Sequence, residues 1–142
     1  VQPMSQVRNV AQYAVVVLGA PLYFGAWHKD AIRFLTQHQQ ALTERSVAIF
    51  ALGPTHADPE EWQSSREQLD QQLAKFPWLV PAAVEMFGGK YDPAKLHLAD
   101  KLIASLPASP LHGMPASDVC DWNAIRNWAS NLVVKLEPAL AQ

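Results

Sequence analysis

The sequence is poor in the features that mark secreted, membrane and nucleic-acid-binding proteins. Its single cysteine, Cys120, excludes an internal disulfide and a pair of metal-binding thiols. The 11 Lys and Arg residues form no cluster and the formal net charge is only −2, whereas nucleic-acid partners usually require a basic patch. No apolar run is long enough to span a membrane. We therefore expect a cytoplasmic protein with no nucleic-acid partner and no membrane span.

Signatures of hydrolytic and metal chemistry are also missing. The serines lack the G-x-S-x-G pattern of a nucleophile elbow. His56, His97 and His112 share no metal-ligand spacing. The sequence therefore identifies no catalytic residue and no metal site.

What the sequence does contain is a regular alternation of apolar runs and amphipathic stretches. Because 49% of the 142 residues are apolar, we expect one core and a single domain over residues 1–142. Strands are predicted at residues 14–18, 46–52 and 82–87, and helices at residues 29–43, 59–76, 96–106 and from 122 onward. This alternation indicates an α/β domain with a parallel sheet.

Two of the predicted helices have clear start signals. Asp58 is a good N-cap, with Pro59 at the first helical position and Glu61 completing a capping-box-like pattern. Asp118 or Asp121 is predicted to cap the last helix. Its predicted apolar side comprises Trp122, Ile125, Ala129, Leu132, Val133 and Leu136.

The first predicted strand and the loop after it are the most informative stretch. The run at residues 14–18 has no polar residue and fits a strand buried on both faces of a sheet. The loop that follows, to about residue 28, contains Pro21, Tyr23, Phe24, Gly25 and Trp27. Ligands of open α/β sheets bind outside the carboxyl ends of the strands, where this loop would lie. Its aromatic side chains suit stacking on a flat ring, and core or dimer packing is an equally good interpretation.

Four stretches carry a family resemblance. They are Y-A-V-V-V-L-G-A-P-L-Y-F-G-A-W-H-K at 13–29, V-A-I-F-A-L-G-P at 47–54, M-F-G-G-K-Y-D-P-A-K at 86–95 and D-W-N-A-I-R-N-W-A at 121–129. With them the chain resembles the flavodoxin-like family, in particular the flavodoxin-domain branch that includes menaquinone-dependent protoporphyrinogen oxidases. The resemblance implies a three-layer fold with helices on both faces of a parallel sheet ordered 2-1-3-4-5. The predicted strands would be the third, fourth and fifth of that sheet.

The resemblance also implies FMN as the cofactor, held by two loops. The first loop would wall the isoalloxazine ring through Pro21, Leu22, Tyr23, Phe24, Gly25 and Trp27. Gly53, Pro54 and Thr55 would approach the pyrimidine edge of the ring through backbone groups. The implied function is FMN-type electron transfer, or an oxidoreductase linked to a quinone or protoporphyrinogen, with a redox protein or a quinone-like molecule as partner. Whether the chain is an enzyme stays open.

One part of the family's pattern is missing from the sequence. Family members begin with a strand and a Ser/Thr- and Gly-rich loop that holds the FMN phosphate at a helix N-terminus, and residues 1–12 match none of it. We therefore expect an N-terminally truncated fold, without the first strand, the phosphate loop and the first helix. Ring stacking alone would not hold FMN tightly.

This truncation would leave the strand at residues 14–18 as an exposed edge. We expect that edge to pair with its copy in a homodimer, which completes the sheet, or else to be covered by residues 1–13. The alternative function is then a truncated homodimer that no longer binds FMN. Such a protein would act as an interaction module or bind another ligand in the old flavin crevice.

Overall fold

The computed structural model describes residues 1–23, 25–109 and 111–140, with Tyr23, Ala99 and residues 138–140 described by their backbone only. The strands are β1 (Val15–Tyr23), β2 (Ala26–Trp27), β3 (Ser46–Leu52), β4 (Ala83–Phe87), β5 (Lys90–Tyr91) and β6 (Ser117–Asp118). The helices are α1 (Lys29–Gln37), α2 (Gln39–Thr43), α3 (Pro59–Ala74), α4 (Leu98–Ser105) and α5 (Trp122–Leu140). Short 3-10 helices lie at Met4–Gln6 and Pro93–Lys95.

Three strands form the parallel part of the main sheet, whose order is β2-β1-β3-β4. β1 pairs with β3 over residues 15–21, and β3 pairs with β4 over residues 48–52. β2 is antiparallel to the end of β1, and β5 and β6 form a separate antiparallel pair. The predicted α/β class is confirmed, although the sheet is mixed rather than entirely parallel.

Helices cover both faces of this sheet. Side chains alternate between the faces, so that neighbouring residues of β3 face opposite layers. Ile49 belongs to the main core with Phe34 of α1 and Leu69 of α3. Ala48 packs in a second cluster with Leu132 and Leu136 of α5. None of the helices in the described ranges has the length and apolarity needed to cross a membrane.

The predictions for β3 and for the N-cap of α3 are confirmed, whereas the capping-box contact predicted for Glu61 is wrong, because its carboxylate bonds to Thr55 instead. β3 spans Ser46–Leu52, and α3 begins at Pro59, one residue after its N-cap. A carboxylate oxygen of Asp58 accepts a hydrogen bond from the backbone N–H of Glu60 at 3.0 Å. Asp121, rather than Asp118, caps α5, since its Oδ1 accepts from two backbone N–H groups of the first turn at 2.8 and 2.9 Å.

β1 is longer than its sequence pattern predicts. The strand continues past Gly19 because its backbone stays paired with β3 as far as Pro21. β2 then folds back onto its end, and Gly25 in the turn has a φ of +77°, which favours glycine. The loop predicted over residues 19–28 is therefore wrong for most of its length, and its Phe24 lies outside the described residues.

Two helix predictions also need correction. The helix expected at residues 29–43 is interrupted at His38, whose φ of −108° separates α1 from α2. The apolar side predicted for α5 is too wide, because Trp122 and Val133 are 63% and 62% exposed. Among the six residues predicted for this side, only Leu132 and Leu136 are buried, since they are the ones that pack against the sheet.

The outer edge of β1 is open over residues 15–21 within the described part of the chain. Backbone pairing on that side is confined to the last two residues of the strand. Residues 1–13 form no strand pairing with this edge; their 3-10 helix packs against α1, and Val10 is buried in the main core. Arg45 holds this segment through Nη2, which donates to the carbonyl of Ala11 at 2.6 Å.

Two leucine-to-alanine substitutions, one in the main core and one on the surface, should differ greatly in their effect on the free energy of unfolding. Leu69 is fully buried against the sheet, so Leu69→Ala is expected to lower the free energy of unfolding by about 2–5 kcal/mol. Leu102 of α4 is 69% exposed, so Leu102→Ala should change it by less than about 0.5 kcal/mol. Urea unfolding followed by circular dichroism measures both. Equal losses would contradict the assignment of this core.

Candidate functional site

A cavity of about 880 Å³ opens at the carboxyl ends of the parallel strands. Its walls come from the end of β1, the loop after β3, one side of α3 and the segment from β5 to residue 114. The lining residues are Pro21, Leu22, Gly25, Leu52, Gly53, Thr55, His56, Glu61, Ser65, Gln68, Gly89, Lys90, Tyr91, Asp92, Lys95, Leu96, Leu111 and Met114. Both the volume and the position are typical of ligand sites in α/β folds.

Backbone hydrogen bonds between the loops after β3 and β4 form one side of the cavity. The N–H of Gly53 donates to the carbonyl of Phe87 at 3.1 Å, and the N–H of Gly89 donates to the carbonyl of Pro54 at 2.6 Å. A Cβ atom on Gly53 would lie 3.2 Å from the Cβ of Ser65, so glycine allows α3 to approach closely. These loops are consequently held together without side chains filling the space between them.

Most of the remaining wall is apolar. Leu22, Leu52, Leu96, Leu111 and Met114 contribute aliphatic surface or sulfur, and Tyr91 is 7% exposed. Such a wall suits the faces of a flat aromatic ring system. The sequence did not predict the part of the wall between residues 90 and 114, because its lining residues lie in short elements and in the connections around α4 rather than on one periodic face.

A polar cluster lines the cavity where the loop after β3 meets the first turn of α3. Oε1 of Glu61 accepts hydrogen bonds from the backbone N–H of Thr55 at 2.7 Å and from its hydroxyl at 3.3 Å. Oε2 of Glu61 lies 2.9 Å from Nδ1 of His56. The indole N–H of Trp62 donates to the carbonyl of His56 at 3.1 Å. The start of α3 therefore fixes the conformation of this loop.

These contacts keep Glu61 ionised. Partial burial raises the pKa of its carboxyl, but the hydrogen bonds from the Thr55 backbone and from His56 outweigh burial, and the pKa lies below its ordinary value. A carboxylate can only accept hydrogen bonds. Nδ1 of His56 therefore carries the hydrogen that lies between the two side chains.

A second charged pair joins β5 to β6 beside the cavity. Nζ of Lys90 lies 2.7 Å from Oδ2 of Asp118. This hydrogen bond raises the pKa of Lys90 and lowers that of Asp118. Both side chains are about half exposed, so the pair orients the loop and adds little to stability.

Cys120 lies next to this pair. Burial raises the pKa of its thiol, which donates to the carbonyl of Gly88 at 3.3 Å. The thiol is therefore not an activated nucleophile.

The residues predicted to contact a flavin fall into three groups. Pro21, Leu22, Gly25, Gly53 and Thr55 line the cavity. Pro54 is fully buried and does not line the cavity, and Trp27 is 4% exposed in the core, with its ring centroid 6.2 Å from that of Phe76. Tyr23 is described by its backbone and Phe24 lies outside the described residues, so stacking by either side chain stays a prediction.

The cavity accommodates the ring of a flavin better than its phosphate. Apolar walls and the polar cluster match a flat ring with one polar edge. Two of the backbone donors predicted to face that edge, the N–H groups of Gly53 and Thr55, are already bonded within the protein. For a phosphate, the lining residues offer the side chains of Lys90 and Lys95. The first turn of α3 also lines the cavity, but Pro59 has no N–H, the N–H of Glu60 is bonded to Asp58, and the carboxylate of Glu61 would repel an anion. In the part of the chain that the structure describes, no group of His, Cys, Asp or Glu side chains forms a metal site.

Comparison with known proteins supports the resemblance inferred from the motifs. The family model described as "Flavodoxin domain" matches residues 1–116, which is more than half of the chain. No curated protein and no solved structure gives a significant match.

The depressed pKa of Glu61 predicts a pH-dependent contribution to stability. Ionised Glu61 stabilises the fold above the ordinary carboxyl pKa of about 4.3, and this contribution is lost as the pH falls through the lower pKa of the folded state. Glu61→Gln should therefore lower the free energy of unfolding at neutral pH, by about 1 kcal/mol given its partial exposure. The difference from the wild type should shrink below about pH 4.

Urea unfolding of the wild type and the variant at both pH values measures this effect. Glu60→Gln is the matched control, since Glu60 lies in the same helical turn but is exposed. A loss for Glu61→Gln that does not change with pH would contradict the interpretation.

Proposed function

The chain belongs to the flavodoxin domain family, and we propose that it is a redox protein that binds a flavin, FMN by expectation, in the cavity at the carboxyl ends of the strands. The observation that carries the proposal is the position of this cavity, outside parallel β1 and β3, where α/β folds bind their ligands. The cavity wall is largely apolar and carries one polar cluster, which supports a ligand that has apolar faces and one polar edge.

The residues of the chain would bind and orient such a ring. Leu22, Leu96 and Met114 would cover its faces and exclude water from them, while Thr55 and His56 would meet its polar edge. When bound, the flavin supplies the redox chemistry, which the protein tunes through these contacts. As the acceptor or donor of electrons we propose a quinone-like or porphyrinogen-like molecule, in line with the family branch that the motifs resemble.

The proposal predicts saturable flavin binding that depends little on the phosphate. Titration of FMN and of riboflavin with the protein should quench the fluorescence of both, because the ring makes the contacts. Because the residues that line the cavity form no phosphate cradle, the two dissociation constants should agree within about tenfold, since such a cradle would add strong charge-assisted hydrogen bonds to FMN alone.

Two leucine variants test the location of the site. Leu96→Asp places a charge on the cavity wall and should weaken binding of both flavins by about tenfold or more. Leu98→Asp, two residues away and 87% exposed in the wild type, should leave binding unchanged. If the protein quenches the fluorescence of neither FMN nor riboflavin in a saturable way, the proposed function is wrong.

The open edge of β1 favours a second candidate function, that of a homodimer assembled by strand pairing. The edge is unpaired over residues 15–21 in the described part of the chain, and Val17 on it is 48% exposed. Pairing of this strand with its copy would satisfy the backbone groups of both, and a two-fold arrangement closes without further growth.

Light scattering after size exclusion tests this assembly. The wild type should have about twice the 15.7 kDa mass of one chain. Val17→Lys should reduce the mass to that of one chain, because two like charges would face each other across the paired edges. Val80→Lys, at an 84% exposed position before β4, is the matched control and should remain dimeric. A single-chain mass for the wild type would contradict the dimer.

A further inference from the structure

His56 presents one ring nitrogen that the described part of the chain does not use. Both side-chain contacts of the imidazole involve Nδ1, which lies 2.9 Å from Glu61 and 3.3 Å from the hydroxyl of Thr55. The side chain is 44% exposed and contributes to the cavity wall. Nε2 is therefore available to a ligand in the cavity or to water.

The carboxylate of Glu61 determines what Nε2 can do. Because Nδ1 keeps its hydrogen toward Glu61, Nε2 of the neutral ring is an acceptor, and Nε2 of the charged ring is a donor. The same carboxylate orients the ring through its second contact with the Thr55 backbone. A histidine held in this way by a carboxylate is suited to transferring a proton at a fixed position.

Neighbouring backbone groups do not compete for this role. The N–H of Gly53 and the N–H of Thr55 are bonded to Phe87 and Glu61, as described above. The other titratable side chains that line the cavity are Lys90, Tyr91, Asp92 and Lys95, contributed by β5 and the 3-10 helix after it. Among them, Lys90 is paired with Asp118, and Nζ of Lys95 lies 3.9 Å from Asp92.

We propose that His56 is the proton donor and acceptor for the ring bound in this cavity, and that Glu61 is its positioning residue. The proposal rests on the proposed function. When a two-electron reductant reduces the ring, Nε2 of charged His56 would give its proton to a nitrogen of the ring, and the imidazole would stay neutral for as long as the ring stays reduced. When an acceptor takes the electron pair from the ring, the same proton would return to Nε2, so that His56 begins and ends the cycle charged.

Binding measurements on the oxidised and the reduced flavin test this role apart from any turnover. Dissociation constants of riboflavin, before and after anaerobic reduction with dithionite, are measured between about pH 6 and pH 9, across the histidine range. In the wild type, the ratio of the two constants should change by about tenfold, with an inflection that reports one titrating group. In His56→Gln both forms should bind more weakly, because the ring loses a contact at its polar edge, and the inflection in the ratio should disappear.

Further variants separate the proton transfer from a structural role. Glu61→Gln should weaken the pH dependence of the ratio, because the ring loses the carboxylate that holds the hydrogen on Nδ1, and Glu61→Asp should restore part of that dependence. His97→Asn, at an exposed histidine away from the cavity wall, should titrate like the wild type.

Two negative results have different meanings. Flavin binding with superimposable pH profiles for the wild type, His56→Gln and Glu61→Gln would overturn the role of His56 and leave the proposed function standing. Failure of the wild type to bind flavin would overturn both.

Discussion

The joining of β3 and β4 at their carboxyl ends is the constraint on which the cavity depends. Two backbone hydrogen bonds, one in each direction between the loops after these strands, continue the strand pairing past the sheet. Gly53 then lets α3 lie close to the end of β3, where an added Cβ would be only 3.2 Å from the Cβ of Ser65. These backbone contacts fix the positions of the loops after β3 and β4, and the loops in turn place part of the apolar wall and the polar cluster around the cavity.

Glu61 links the stability of a helix start to the chemistry of the cavity. A capping box would direct this carboxylate to the N-cap residue, whereas here it reaches back to the N–H of Thr55 and to His56. The ionised side chain of Glu61 thus fixes the loop that contains Thr55 and His56, and it sets the tautomer of His56. Loss of that charge affects the fold and the site together, which is why experiments on His56 need a variant that leaves Glu61 in place.

β1 serves two regions of the molecule that do not overlap. Its carboxyl end pairs with β2 and contributes Pro21 and Leu22 to the cavity wall. The part before it has an open outer edge and an exposed side chain at Val17. Ligand binding and strand-mediated assembly are therefore compatible. The parallel pairing with β3 extends over residues 15–21 and so joins the two regions.

Local sequence patterns were sufficient to predict the bounds of elements whose first and last residues carry clear signals. The apolar run of β3 and the cap that begins α3 at Pro59 were predictable because propensity, capping and burial agree there. The family motifs likewise fixed the α/β class. Pairing with a neighbour decided what the local pattern could not: β1 runs past Gly19 because β3 lies beside it, and Trp27 is buried because β2 folds onto the core. The cavity wall between residues 90 and 114 and the contact of His56 with Glu61 came only from the tertiary structure, since short aperiodic segments carry no signal of which side chains they will face.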